Sequence, residues 1–166
     1  MRVLLLGALV FLAACGQTLT PEEKAASDAR DIAMVKKAQE QAKPPLQAIV
    51  PDPISWADME ENDIAGASCK YAPGTSLGTR VIAMPEVAYV KLNGKLVRLA
   101  RDIGAQKLPL DTWSQYDGKS YSLKLSISGD GRSAEDGTTS YDGSVILKDP
   151  YNRIVYDGSG LAQCGS

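Results

Sequence analysis

Hydrophobic and polar positions change their period partway along this chain of 166 residues. Val3 to Phe11 is an unbroken apolar run, too short to span a bilayer, which needs about 20 apolar residues. With Arg2 before it and small residues after it, the run has the form of a secretory leader. Glu22 to Ala42 is rich in Ala, Glu, Lys and Gln and free of Gly and Pro, which predicts a helix. Thr20-Pro21-Glu22-Glu23 supplies its start: Thr20 as cap, Pro21 in the first turn, Glu23 completing a capping box. Acids (Glu22, Glu23, Asp28, Asp31) lead and Lys36, Lys37 and Lys43 trail, in favour with the helix dipole, and Pro44-Pro45 ends the run. At about 1.5 Å per residue the helix reaches roughly 30 Å. Ile32, Met34 and Val35 are its only large apolar residues, so it reads as a solvated spacer. The other reading makes Ile32 and Val35, among alanines, a seam for a partner or for the domain that follows.

Pro44, Pro45, Pro51 and Pro53 make residues 44–63 an extended linker. Within it, Ser55 to Asn62 predicts a short helix capped by Ser55. Trp56 and Met59 stand three apart and are expected to point inward together, with Trp56 plugging one end of the next domain. The functional reading of Trp56 is a ligand-binding aromatic.

From Ile64 onward the period is two. Glu86–Leu92 and Lys95–Arg101 flank Asn93-Gly94, the pair favoured in a two-residue type I′ hairpin. That turn sets Val90 against Val97 and Ala88 against Leu99 on a core face, Glu86 opposite Arg101, and Tyr89 beside Arg98 on a wet face. Tyr121, Leu123, Leu125 and Ile127 alternate with serines and Lys124. Asp149-Pro150-Tyr151-Asn152 is a turn between strands, and Gly129–Gly137 reads as a polar, flexible loop. Further strands fall near Ser68–Tyr71, Arg80–Met84 and Thr112–Tyr116. The fold class is mainly β: a small antiparallel β-barrel or sandwich of about seven or eight strands, preceded by one N-terminal α-helix.

Leu12-Ala13-Ala14-Cys15, directly after the apolar run, resembles the lipobox of bacterial lipoproteins. The resemblance implies acylation of Cys15, removal of residues 1–14 and a membrane anchored through lipid; Gly16 after the cysteine implies outer-membrane residence facing the periplasm. The organisation is then leader 1–14, lipidated stalk 15–43, linker 44–63 and β-domain 64–166. Cys69 and Cys164 remain as an even pair in an oxidising setting, which favours a disulfide. In the loop-entropy model such a bridge contributes about 4–5 kcal/mol.

Formal net charge is −2, and loss of Arg2 with the leader makes it one unit more negative. The chain has no basic cluster, so it lacks the footprint of nucleic-acid binding. It has no histidine, and two cysteines cannot fill a tetrahedral zinc site; no metal or cofactor is expected. Gly74-Thr75-Ser76-Leu77-Gly78 matches the G-x-S-x-G pattern, but without a histidine to take the serine proton it reads as a loop, and the chain is not expected to be an enzyme. Asp130, Glu135 and Asp136 lack the spacing of a calcium loop. Tyr-Asp-Gly occurs at residues 116–118, 141–143 and 156–158, read as hairpin turns with tyrosines at the core rim. The candidate binding surface is Tyr89, Arg98 and Lys124 on the exposed sheet face, with Tyr116, Tyr141 and Tyr156 gathered as a rim.

The β-domain, with Cys69-Lys70-Tyr71 early and Ala162-Gln163-Cys164 late, is similar to uncharacterised small lipoproteins of Gram-negative bacteria. More distantly, it resembles the membrane-bound inhibitors of C-type lysozyme, whose Ser-Gly-x-x-Tyr loop has no good copy here; Ser140-Tyr141-Asp142-Gly143 does not fit it. The expectation is a non-catalytic envelope lipoprotein whose β-domain binds or supports an envelope protein or cell-wall partner. The alternative is an inhibitor of a cell-wall hydrolase.

Overall fold

The structure, a computed structural model, describes residues 20–166 in two units, with the second beginning at Pro45. Leu12-Ala13-Ala14-Cys15, read above as lipobox-like, lies outside the described residues. In the first unit, helix α1 (Pro21–Ala42) starts as its sequence dictates. The Thr20 hydroxyl accepts from the Glu23 amide at 3.3 Å, and the Glu23 carboxylate accepts from the Thr20 amide at 2.9 Å. That backbone hydrogen bond to Thr20 holds the Glu23 carboxyl below its usual value. No α1 side chain is buried, and Ile32, Met34 and Val35 are all exposed.

The second unit is a closed barrel of eight strands: β1 (Ser68–Pro73), β2 (Val81–Ala83), β3 (Val87–Leu92), β4 (Lys95–Arg101), β5 (Gln115–Asp117), β6 (Ser122–Ser133), β7 (Thr139–Lys148) and β8 (Ile154–Gly165). Each pairs antiparallel with the next, and β8 returns to β1. The Asn93-Gly94 hairpin has the expected register, Val90 on Val97 and Ala88 on Leu99, with Asn93 and Gly94 both at positive φ. Glu86 pairs with Arg101 at 2.8 Å.

Only part of the polar stretch 129–137 is the loop its composition suggests: 134–137 turns between β6 and β7, but 129–133 is strand. β6 continues to Ser133 through a bulge, where Gly129 (φ 87°) and Gly131 (φ 73°) let the chain step out and rejoin β7 at Arg132 opposite Ser140. Outer residues there face water, so no apolar alternation betrays the strand.

The core is the barrel interior, filled by Tyr71, Leu99, Tyr116, Leu123, Leu125 and Leu147, among others. All three tyrosines belong to this interior, and only the 116–118 triplet leads into a hairpin turn, that between β5 and β6. Residues 141–143 lie inside β7 and 156–158 inside β8, while 116–118 runs off the end of β5. Period two turns Tyr and Gly inward and Asp outward, so each triplet brings a bulky ring and a position without a side chain to one face. The omission is sterically required. A Cβ on Gly158 would collide with the Tyr156 hydroxyl and stand 2.9 Å from that of Tyr71. The Tyr116 hydroxyl donates to the Met84 carbonyl and accepts from the Trp113 amide, both at 2.8 Å, and burial pushes it up to about 12.

The cover over the core comes from Trp113, not Trp56. Trp113 sits in the loop between β4 and β5, its indole N–H donating to the Pro85 carbonyl at 2.9 Å. Arg101 and Lys107 hold their cations 5.7 and 5.5 Å from its ring centroid.

Cys69 and Cys164 are register partners on β1 and β8, Cα atoms 4.0 Å apart, joined by a disulfide across 95 residues of sequence. The bond therefore lies on the seam where the first strand meets the last. Replacing both by serine is expected to cost about 2–5 kcal/mol, read as a lower urea midpoint. Gly160→Ala attacks the same seam, because its Cβ would meet the Ala72 carbonyl and lie 2.6 Å from the Gly74 amide. Backbone cannot step aside as a side-chain tip can, so a loss of about 1–3 kcal/mol or more is expected in the same measurement.

Candidate functional site

Residues 44–63 were expected as a linker; from Ile49 onward they are a strap tied to the barrel. The Ile49 amide donates to the Val155 carbonyl at 2.9 Å, that of Asp52 to Lys91 at 2.7 Å, and that of Ile54 to Thr79 at 2.8 Å. Arg80 donates to the Pro51 carbonyl at 2.7 Å, and the Asp52 carboxylate accepts from Gly94 at 2.8 Å, pinning the hairpin turn. Prolines remain the right residues for this, since an extended segment docked at intervals loses little entropy on binding.

The strap delivers helix α2 (Trp56–Glu61) to the outside of β2 and β3. Ser55 and Asp58 form a second capping box. Ile54 and Met59 both pack into a satellite core with Ile64 and Ile82, joined by Met84, Tyr89 and Leu96. Ile54 precedes the cap and Met59 is the fourth helical residue, the spacing of a hydrophobic staple. This was the signal that sequence reading missed: the staple turns Met59 inward and leaves Trp56, the first helical residue, outside. Trp56 is 71 % exposed.

Lys91 Nζ donates to both oxygens of Asp58 at 2.7 and 2.8 Å, locking α2 to β3. That hydrogen bond first, then those from the Ser55 hydroxyl and amide, pulls the Asp58 carboxyl from 3.8 down to about 2.

The surface expected from sequence is not assembled as one patch. Tyr89 is half-buried beneath the satellite core, while its register neighbour Arg98 is exposed. The outer face was expected to be wet; here it is covered because Ile82, Tyr89 and Leu96 make it apolar. Lys124 is exposed on β6 between Gln115 and Ile146, a different cross-strand row. Tyr116 is wholly buried. Tyr141 pairs with Ala162 and Tyr156 with Leu147, separate levels of the same ladder, so the three tyrosines form no rim. Tyr156 instead meets the Tyr71 hydroxyl at 3.5 Å.

Two surface grooves stand out. One, of 390 Å³, has Trp56 as a wall, Met59, Ile64 and Ala65 as its floor, and Glu60 and Asp63 on its rim. The other, of 440 Å³, crosses the outside of β6, β7 and β8, where Ser126, Ser144 and Ser159 are register neighbours beside Ser128 and Asp142. Ser76 of the G-x-S-x-G match lies in the loop between β1 and β2, accepting from the Gly78 amide at 3.1 Å. Among the described residues, no three carboxylates or cysteines converge as a metal site.

No known protein family, curated protein or solved structure matches the chain.

A carboxyl held low when folded stabilises the fold fully above its unfolded value near 3.8, and the contribution vanishes as pH falls through about 2. Amide protection over residues 55–64, measured against the intrinsic exchange rate at each pH, is therefore expected to fall as pH drops through that window. Asp58→Asn should show the lowered protection already at neutral pH; identical protection in the variant would remove the Lys91 lock from the account.

Proposed function

We propose that the chain is a non-catalytic lipoprotein of the bacterial cell envelope, anchored at the outer membrane facing the periplasm, whose barrel docks another envelope component on its outer surface. Leu12-Ala13-Ala14-Cys15 supports the anchor, since acyl chains on one cysteine give a durable tether. The Cys69–Cys164 disulfide fits an oxidising compartment. A filled interior directs any ligand to the outside, unlike barrels that enclose one.

The observation that carries the docking reading is Trp56. An indole standing in water on a helix held by a staple, a capping box and an ion pair is a rigid, pre-organised aromatic, the kind that dominates protein interfaces. The serine-lined groove offers polar groups without such an anchor.

Protein recovered from the membrane fraction is expected to have the mass of residues 15–166 plus acyl groups, and Cys15→Ser should shift it to the soluble fraction. An intact amino terminus on soluble protein would end the anchored reading. Cross-linking in intact cells is expected to yield a discrete adduct, and its absence would end the docking reading.

A further inference from the structure

We infer that the groove beside α2 takes a cationic, partly apolar peptide segment of a partner protein. The inference rests on the docking reading above and specifies its occupant. The groove's wall and floor are apolar, through Trp56, Met59, Ile64 and Ala65, but its rim is acidic, through Glu60 and Asp63, with Glu61 following on the same helix. All three acids are exposed, and among the described residues none enters an ion pair. The neighbouring acid Asp58 is already matched by Lys91.

Unmatched carboxylates around an exposed indole define the complement. A Lys or Arg side chain laid over the Trp56 face meets the ring's negative quadrupole and the rim charges together. Its aliphatic stem covers the apolar floor.

The groove also has a direction. A second hollow adjoins it, sharing Met59, Ile64 and Ala65, and runs on past Gly66 to Met84 with Lys70 on its wall. Acid surrounds the Trp56 end and a base stands at the far end. A bound segment therefore places its cation over Trp56 and an apolar side chain toward Met84, where two thioethers adapt to its shape. The same rim repels anionic lipid headgroups, which sets a peptide above a membrane surface as occupant.

The test uses the full mature chain and fluorescence anisotropy of labelled hexapeptides. An alternating Lys-Leu peptide is expected to bind, and an alternating Glu-Leu peptide is not. Trp56→Ala should weaken the Lys-Leu peptide by about tenfold or more while leaving the circular dichroism spectrum unchanged. Glu60→Gln with Asp63→Asn should weaken it severalfold and flatten its salt dependence. Lys124→Ala, on another row of the barrel, should change neither. Equal binding of the Glu-Leu peptide, an unchanged affinity in folded Trp56→Ala, or displacement of the peptide from the unlipidated Cys15→Ser chain by phosphatidylglycerol vesicles would overturn the inference. A cellular adduct alongside any of those results leaves the docking reading standing without this occupant.

Discussion

Closure of β1 onto β8 is the constraint from which the rest of the second unit follows. Once Ser68 to Pro73 has laddered against Gly160 to Gly165, the interior has a fixed volume and every inward side chain must share it. Rings at Tyr71, Tyr116 and Tyr156 fill that space, and glycines at 118 and 158 vacate it, on strands that alternate inward and outward. Neither half works alone. A ring without its gap overpacks the core, and a gap without its ring leaves a void.

A filled barrel still has an outside, and here part of that outside is apolar. β2 is buried on both faces, Val81 and Ala83 within the barrel and Ile82 without. Leaving Ile82, Tyr89 and Leu96 in water would expose a patch favouring non-specific association. The strap and α2 cover it, and the ion pair between Asp58 and Lys91 fixes the cover in one orientation. Trp56 lies outside this arrangement because the cover is complete without it.

Local rules were legible in the sequence wherever the chemistry is local. The Thr20 capping box, the Asn93-Gly94 turn, the register of its hairpin and the pairing of Cys69 with Cys164 all follow from residue type and spacing. What escaped depended on surroundings. Tyr-Asp-Gly has the composition of a turn, and only the closed sheet reveals it as a ring with adjoining space. Gly129–Gly137 has the composition of a loop throughout, and only the ladder to β7 reveals its first five residues as a bulged strand. Residues 44–63 have the composition of a linker because proline-rich extended chain looks alike whether free or tied at Ile49, Asp52 and Ile54. The candidate surface suffered most, since a sheet's outer rows are set by shear and covering elements that no single strand records.

The position of the disulfide also settles how the molecule carries mechanical load. A pull applied between the barrel unit's two chain ends first peels the contacts at Ile49, Asp52 and Ile54 one by one. Tension then reaches Cys69 and passes straight through the sulfur bridge to Cys164 on β8. The sequence between them, a separation of 95 positions, is short-circuited. Strands β2 to β7 hang off the line of force, and the barrel keeps its shape while its leading segment stretches.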